Sequence, residues 1–436
     1  MKRFLLSAAA ALAMGIAAPA MAQDVAITNA KLVIGDGSQP VDGGTVIIRG
    51  GRVVAAGANV AVPAGMQVID AQGKWVSPGI FAGFSRLGIV EVDGVEQTND
   101  AGARNSPFHA ALDVVPAVNP RTSAIAINRA AGVTRAVVAP DNNGSIFAGQ
   151  GAVIDLGSDV NAVTHGQAFQ FMEYGEAGAR AAGGSRPAAY AMLKNTLFEA
   201  REYARNPASF ADRGKDAMLT RLDAAALVPV VQGKIPLLIH VERASDMLVL
   251  IALKKEMPQL RIVFVGATEG WMVARDIAAA GIPVIATALV DLPASFEQLA
   301  ATQSNVGRMR EAGVLVALGQ INDNEARQSR HLLQYAGNLV ALTRVPGATG
   351  LSWGQAFATI SSAPAEALGM GGELGSLCPG RRGDVVIWDG DPLELGTAPV
   401  AVFIDGVEQP LVSRQTKLRD RYLTPSEGAL PKAYER

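Results

Sequence analysis

Ile235-Pro236-Leu237-Leu238-Ile239-His240 is followed by a helical stretch from Ser245 to Lys255, then by Arg261-Ile262-Val263-Phe264-Val265. A second helical stretch from Gly270 to Ala280 leads into Ile282-Pro283-Val284-Ile285-Ala286. The three short apolar runs show no polar alternation, which is the pattern of strands buried on both faces. A helix between each pair implies parallel strands, because the chain must cross back over the sheet before it pairs again. The same texture extends outward to Gly132-Val133-Thr134-Arg135-Ala136-Val137-Val138-Ala139 and to Val314-Leu315-Val316-Ala317-Leu318, with a helical stretch from Ser295 to Ala312. Repeated units over residues 76–370 suit an α/β fold of the TIM-like (β/α)8 barrel kind better than a doubly wound sheet. Strands three and four are not clean runs. The stretch from Asn161 to Val228 reads as mostly helical and longer than one unit needs, so it carries an insertion.

Both flanks of the barrel read as β structure. Val25 to Ile34, Gly44 to Ile48, Arg52 to Ala56 and Met66 to Asp70 are β-rich runs separated by Gly and Asp turn signals. Gly383-Asp384-Val385-Val386-Ile387-Trp388 and Val400-Ala401-Val402-Phe403-Ile404 repeat that texture near the other end, and Asp405-Gly406 closes a hairpin. One small composite β-sandwich built from residues 23–75 and 371–412 is the expectation, with 413–436 as a tail.

Lys2 and Arg3 precede a charge-free stretch from Phe4 to Ala18, and Ala20-Met21-Ala22 follows Pro19. That order matches a signal peptide over residues 1–22, with a mature chain from Gln23 in an exported, periplasmic compartment. No later stretch is apolar enough to span a bilayer, so no membrane association is expected after cleavage. With 38 Lys and Arg against 40 Asp and Glu, and 49% hydrophobic residues, the chain is neither disordered nor a basic nucleic-acid binder. Its 4 His and single Cys exclude a Cys-rich zinc site, an iron–sulfur cluster or an internal disulfide.

Three phrases carry a family resemblance. They are Ile69-Asp70-Ala71-Gln72-Gly73-Lys74-Trp75-Val76-Ser77-Pro78-Gly79-Ile80, Ala363-Pro364-Ala365-Glu366-Ala367-Leu368-Gly369, and Gly375 through Pro379-Gly380 to Trp388. In that order the mature chain resembles the amidohydrolase superfamily, nearest its imidazolonepropionase-like and prolidase-like branch. The resemblance implies a site at the carboxyl ends of the barrel strands, where one or two divalent metals such as zinc acidify a water and polarise a carbonyl.

The ligand positions that the resemblance implies are mostly substituted. The two His of strand one align with Phe84 and Arg86, the strand-six His with Gly266, and the strand-eight Asp with Ile321, which leaves Asp323 two residues late. A bridging Lys on strand four has no counterpart. His240 alone matches, as a vestigial metal ligand or a substrate contact. The remaining histidines, His109, His165 and His331, are too far apart in sequence to form a local ligand pair.

The candidate site residues follow. Asp323 and Glu242 are candidate catalytic carboxylates, while Arg86, His240, Arg243 and Glu269 are candidate substrate contacts. Arg86, placed where a cation would sit, is expected to balance Glu242 or Asp323 or to clamp a ligand carboxylate. Gly350-Leu351-Ser352-Trp353-Gly354 has the pattern of a serine-hydrolase elbow but no strand before it and no His after it. Ser352 with Gln355 reads instead as a capping box. Two functions from different classes remain. The first is an exported hydrolase of peptide-like or non-peptide carbon–nitrogen bonds with a degenerate metal site and a small amide-like substrate. The alternative is a metal-free relative that binds a small ligand, self-associates, or pairs with an active paralogue. No cofactor is expected, or at most a divalent metal.

Overall fold

The computed structural model describes residues 22–423 apart from 93, 104, 143, 213–216 and 322–326. Asp323, the expected signal peptide up to residue 21 and the end of the tail therefore lie outside the described residues. The chain opens with strands β1 (Val25–Leu32), β2 (Val41–Arg49), β3 (Arg52–Gly57), β4 (Gln67–Asp70) and β5 (Trp75–Pro78). Eight strands follow: β6 (Ile80–Ser85), β7 (Val133–Val138), β8 (Phe147–Asp155), β9 (Val163–Glu173), β10 (Leu237–Val241), β11 (Ile262–Gly266), β12 (Val284–Ala286) and β13 (Val316–Leu318). The return is β14 (Val385–Trp388), β15 (Pro399–Ile404) and β16 (Val407–Glu408).

Strands from the two chain ends join one sheet in the order β16-β15-β14-β5-β1-β2-β3, with β4 added on β1. The sheet forks at β1, whose first half pairs with β4 and whose second half pairs with β5. At the fork the register against β2 slips between Ile27 and Ala30, and Asn29 takes a φ of 53°. Asn tolerates that left-handed conformation better than most residues, which lets β1 change partners there. Ile27, Leu32, Val46, Ile48, Val385 and Phe403 form a core that belongs to this sheet alone.

The second sheet, β6 to β13 in chain order, curls into a barrel. It closes where the Gln320 amide beyond β13 donates to the Phe84 carbonyl of β6 at 3.2 Å. Alternate residues fill the interior, among them Phe84, Val137, Phe171, Leu238, Val265 and Ile285. Their neighbours face outward, where Ile239 and Phe264 share a cluster with Leu193, Leu197, Met247 and Leu250 of the surrounding helices.

Two features depart from the sequence reading. Val163–Glu173 is a strand, not part of a helical run; its polar start, Thr164-His165-Gly166-Gln167, is half-exposed and conceals the buried half that follows. The insertion itself is present as helices Gly175–Ala181, Arg186–Arg205 and Arg221–Val231 between β9 and β10. In addition, β8 runs antiparallel to both β7 and β9, whereas the other neighbours pair in parallel. The connection from Ala139 to Ile146 carries no helix among its described residues and is too short to cross over, so the chain turns back beside β7.

This reversal carries Asp155 to the barrel's lower end, where the two sheets meet. There the buried Arg135 guanidinium of β7 donates to both Asp384 carboxylate oxygens at 2.7 and 2.9 Å, and lies 2.8 Å from Asp405 and 3.7 Å from Asp155. Burial opposes the charge on Arg135, but the surrounding carboxylates outweigh it and raise its pKa.

Candidate active site

The upper end of the barrel brings three titratable groups into contact. Leu238, His240 and Glu242 are two residues apart and point the same way into the barrel; on β9 the same holds for Phe171 and Glu173. His240 and Glu173 are direct register partners of β10 and β9. His240 Nδ1 lies 2.6 Å from Glu173 Oε2, and its Nε2 lies 3.0 Å from Glu242 Oε1. Glu242 Oε2 accepts from the Thr268 amide at 2.8 Å. Burial alone would favour a neutral imidazole, yet the Glu173 charge and the hydrogen bonds to both carboxylates raise the pKa of His240 well above its ordinary value. Glu242 is buried as well, which works against its ionisation. The hydrogen bond and charge of His240 outweigh that and hold its carboxyl below the usual range. The arrangement is an imidazolium between two carboxylates.

Gly266 makes room for it. At a φ of 90°, a Cβ on this residue would lie 2.6 Å from Glu242 Oε1. The Glu242 carboxylate thus occupies the space beside the strand-six position at which the resemblance implies a His.

Above the triad opens a cavity of about 710 Å³. Its walls come from chain beyond the carboxyl ends of four strands: Glu176 and Arg180 after β9, His240 and Glu242 at β10, Thr287 and Glu297 after β12, and Tyr335 after β13. Glu297 Oε2 accepts from the Glu176 amide at 2.7 Å and from Arg186 at 3.2 Å. Gly175, at a φ of 69°, permits the approach, since a Cβ there would lie 2.4 Å from that oxygen. Arg186 also donates to Asp246 at 2.8 Å, which ties the insertion to the helix after β10.

The residues singled out from sequence separate into three groups. His240 and Glu242 meet at the cavity floor. Arg86 stays at the barrel's upper end but is not the partner of Glu242; its guanidinium donates to the Ala139 carbonyl at 3.3 Å and to Asp141 at 3.2 Å. The reason is proximity, because Asp141 follows the neighbouring strand β7, whereas Glu242 is already taken by His240 and Thr268. Arg243 donates to Asp246 at 2.8 Å. Glu269 is buried and accepts from the amides of Ala244 and Ala300 at 3.0 and 3.1 Å, so it ties loops together behind the cavity. Asp323 falls outside the described residues. Sequence reasoning missed Glu173, Glu297 and Arg186. The buried run Phe169-Gln170-Phe171-Met172 ending in a carboxylate could have revealed Glu173, while Glu297 fell within the helical stretch expected from Ser295, which starts only at Asn305 and leaves Glu297 in the irregular segment before it.

The divalent ion that the resemblance implies would need ligands that these contacts do not leave free. Both ring nitrogens of His240 face carboxylates, Phe84 packs its ring edge-on against Phe171 at 5.2 Å, and Gly266 offers no side chain. Ile321, at the strand-eight position, packs on the apolar interior. Among the described residues no group of three or more His, Cys, Asp or Glu is arranged to hold a metal ion. These side chains do not fit a two-ion ligand set.

Comparison with known proteins agrees with the fold. A model described as the amidohydrolase family matches residues 160–408. Amidohydrolase tasK of Hapsidospora irregularis is 50% identical over 60 residues, a span of 14% of this chain and 6% of that protein's length. The amidohydrolase structure from Thermotoga maritima MSB8 superposes with a TM-score of 0.76 at 24% identity, covering 89% of this chain and 100% of that one. An adenosine deaminase from Xanthomonas campestris, described with bound zinc, gives a TM-score of 0.51 at 16% identity, covering 89% and 93% of the two chains.

Proposed function

Because the chain belongs to the amidohydrolase family, we propose that it is an exported hydrolase of amide-like carbon–nitrogen bonds that works without a metal. The observation that carries this reading is the Glu173–His240–Glu242 triad at the floor of a cavity at the barrel's carboxyl end. Glu242, held ionised, is the base. A water adds to the amide carbon as its proton passes to Glu242. The carbon–nitrogen bond then breaks, the departing nitrogen takes that proton, and a carboxylic acid and an amine leave. The imidazolium of His240, fixed between its two carboxylates, supplies positive charge beside the developing oxyanion. Glu173 holds the ring in place and is a positioning residue.

Export is supported by the charged, apolar and small-residue order of residues 2–22. No helix among the described residues is long and apolar enough to cross a membrane. N-terminal sequencing of protein recovered from the periplasm is expected to begin at Gln23.

The decisive experiment combines elemental analysis of the purified mature protein with amine release from a panel of small amides in the presence of a chelator. Turnover by metal-free protein is expected, and Glu242→Gln is expected to lower kcat on the order of a hundredfold or more. Activity that requires stoichiometric metal and vanishes with the metal in His240→Ala would overturn the metal-free chemistry. Folded protein that cleaves no amide, with or without added zinc, would overturn the hydrolase reading.

A further inference from the structure

The cavity above the triad has a polar group that the chemistry just described does not use. Glu297 is only 7% exposed, yet it lines the cavity wall. Its Oε2 is saturated by the Glu176 amide and Arg186, and its Oε1 accepts no hydrogen bond among the described residues. A carboxylate oxygen can only accept, and this one opens on the cavity without a protein donor, so an incoming ligand can supply one. Nearby on the same wall, the Thr287 hydroxyl is also buried without a partner.

The charge around Glu297 selects the kind of donor. Glu176, Glu242 and Glu297 all face the cavity, and the positive groups among the lining residues are His240 and Arg180. His240 already lies between Glu173 and Glu242, and Arg180 stands at the exposed rim. A negatively charged ligand would meet carboxylates on several sides. A protonated amine would give Glu297 Oε1 its missing donor and add the opposite charge.

We propose that the barrel mouth selects amides that carry a protonated amine, with Glu297 as the residue that receives the ammonium group. The proposal rests on the hydrolase reading for the position of the scissile bond, but its selectivity can be measured by binding alone. Butyramide, 4-aminobutyramide and succinamate differ chiefly in charge at the end away from the amide, and serve as the neutral, cationic and anionic probes.

Isothermal titration at low salt is expected to give 4-aminobutyramide a Kd tighter than that of butyramide on the order of tenfold or more, with succinamate weakest. Glu297→Gln is expected to abolish the preference, so that 4-aminobutyramide and butyramide bind that variant with equal Kd. Equal affinities, a preference for succinamate, no binding of any probe, or a cationic preference that survives in folded Glu297→Gln would overturn the proposal. If that variant does not fold, the ranking of the three probes on the wild-type protein decides. Cleavage of butyramide and 4-aminobutyramide with equal kcat/KM would sink the selectivity and leave the hydrolase reading intact. A Glu297-dependent binding preference without cleavage would do the reverse.

Discussion

His240 could be picked out from sequence because it ends an apolar run, and that strand end opens on the cavity. What the ring touches could not be read in the same way. Glu242 and Glu269 look alike in sequence, each a carboxylate just past a strand. One meets an imidazole, while the other meets two backbone amides, because the donors come from segments distant in the chain. Glu173 was hidden by the half-exposed start of its strand. The imidazolium pair gives a clear stability expectation. Glu173→Gln leaves the buried cation with one carboxylate and should cost about 3 kcal/mol in urea unfolding. Since the pKa of folded His240 is raised, its contribution is fully present below the unfolded value of about 6.5 and is lost as pH rises through the folded value. Wild type should therefore lose stability on the alkaline side of neutrality, and His240→Gln should lose less over the same range.

At the level of elements, the parallel strands were the most legible part, because burial on both faces writes a continuous apolar run. β8 and β9 were not: β8 is buried throughout but interrupted by Gly149 and Gly151 and enters on a reversal that no local composition marks, and β9 starts half-exposed. One helix start was easier to read. Ser352 accepts from the Gln355 amide, and the Gln355 side chain accepts from the Ser352 amide, which completes the capping box expected from the two residues alone. Ser352→Ala should lower stability by about 1 kcal/mol in thermal or urea unfolding and leave amide turnover unchanged. A large loss of kcat with normal stability would instead restore the nucleophile reading that the absent strand and His argued against.

Across the whole molecule, the composite β domain was foreseeable from matching textures at both ends, but the means of its attachment was not. A buried Arg inside an apolar strand gives no hint of three partners drawn from separate parts of the chain. Burial pushes the Asp155 carboxyl up to about 6 despite the neighbouring Arg135. A carboxyl raised in this way favours the folded state most when protonated, so its contribution is present below the unfolded value of about 3.9 and fades as pH rises through 6. Asp155→Asn should thus be at least as stable as wild type at pH 7, and the difference between the two should shrink as the pH is lowered from about 7 to 4, measured by urea unfolding. A constant difference would mean that Asp155 does not titrate in that window.

β5 finds its partner β14 only after the entire barrel has been synthesised between them. Closing so long a loop is slow, and the amino-terminal strands have no complete sheet to join until the carboxyl-terminal ones emerge. A nascent polypeptide wired in this manner postpones its own compaction, a useful delay for anything that has to be threaded through a translocation pore before it folds.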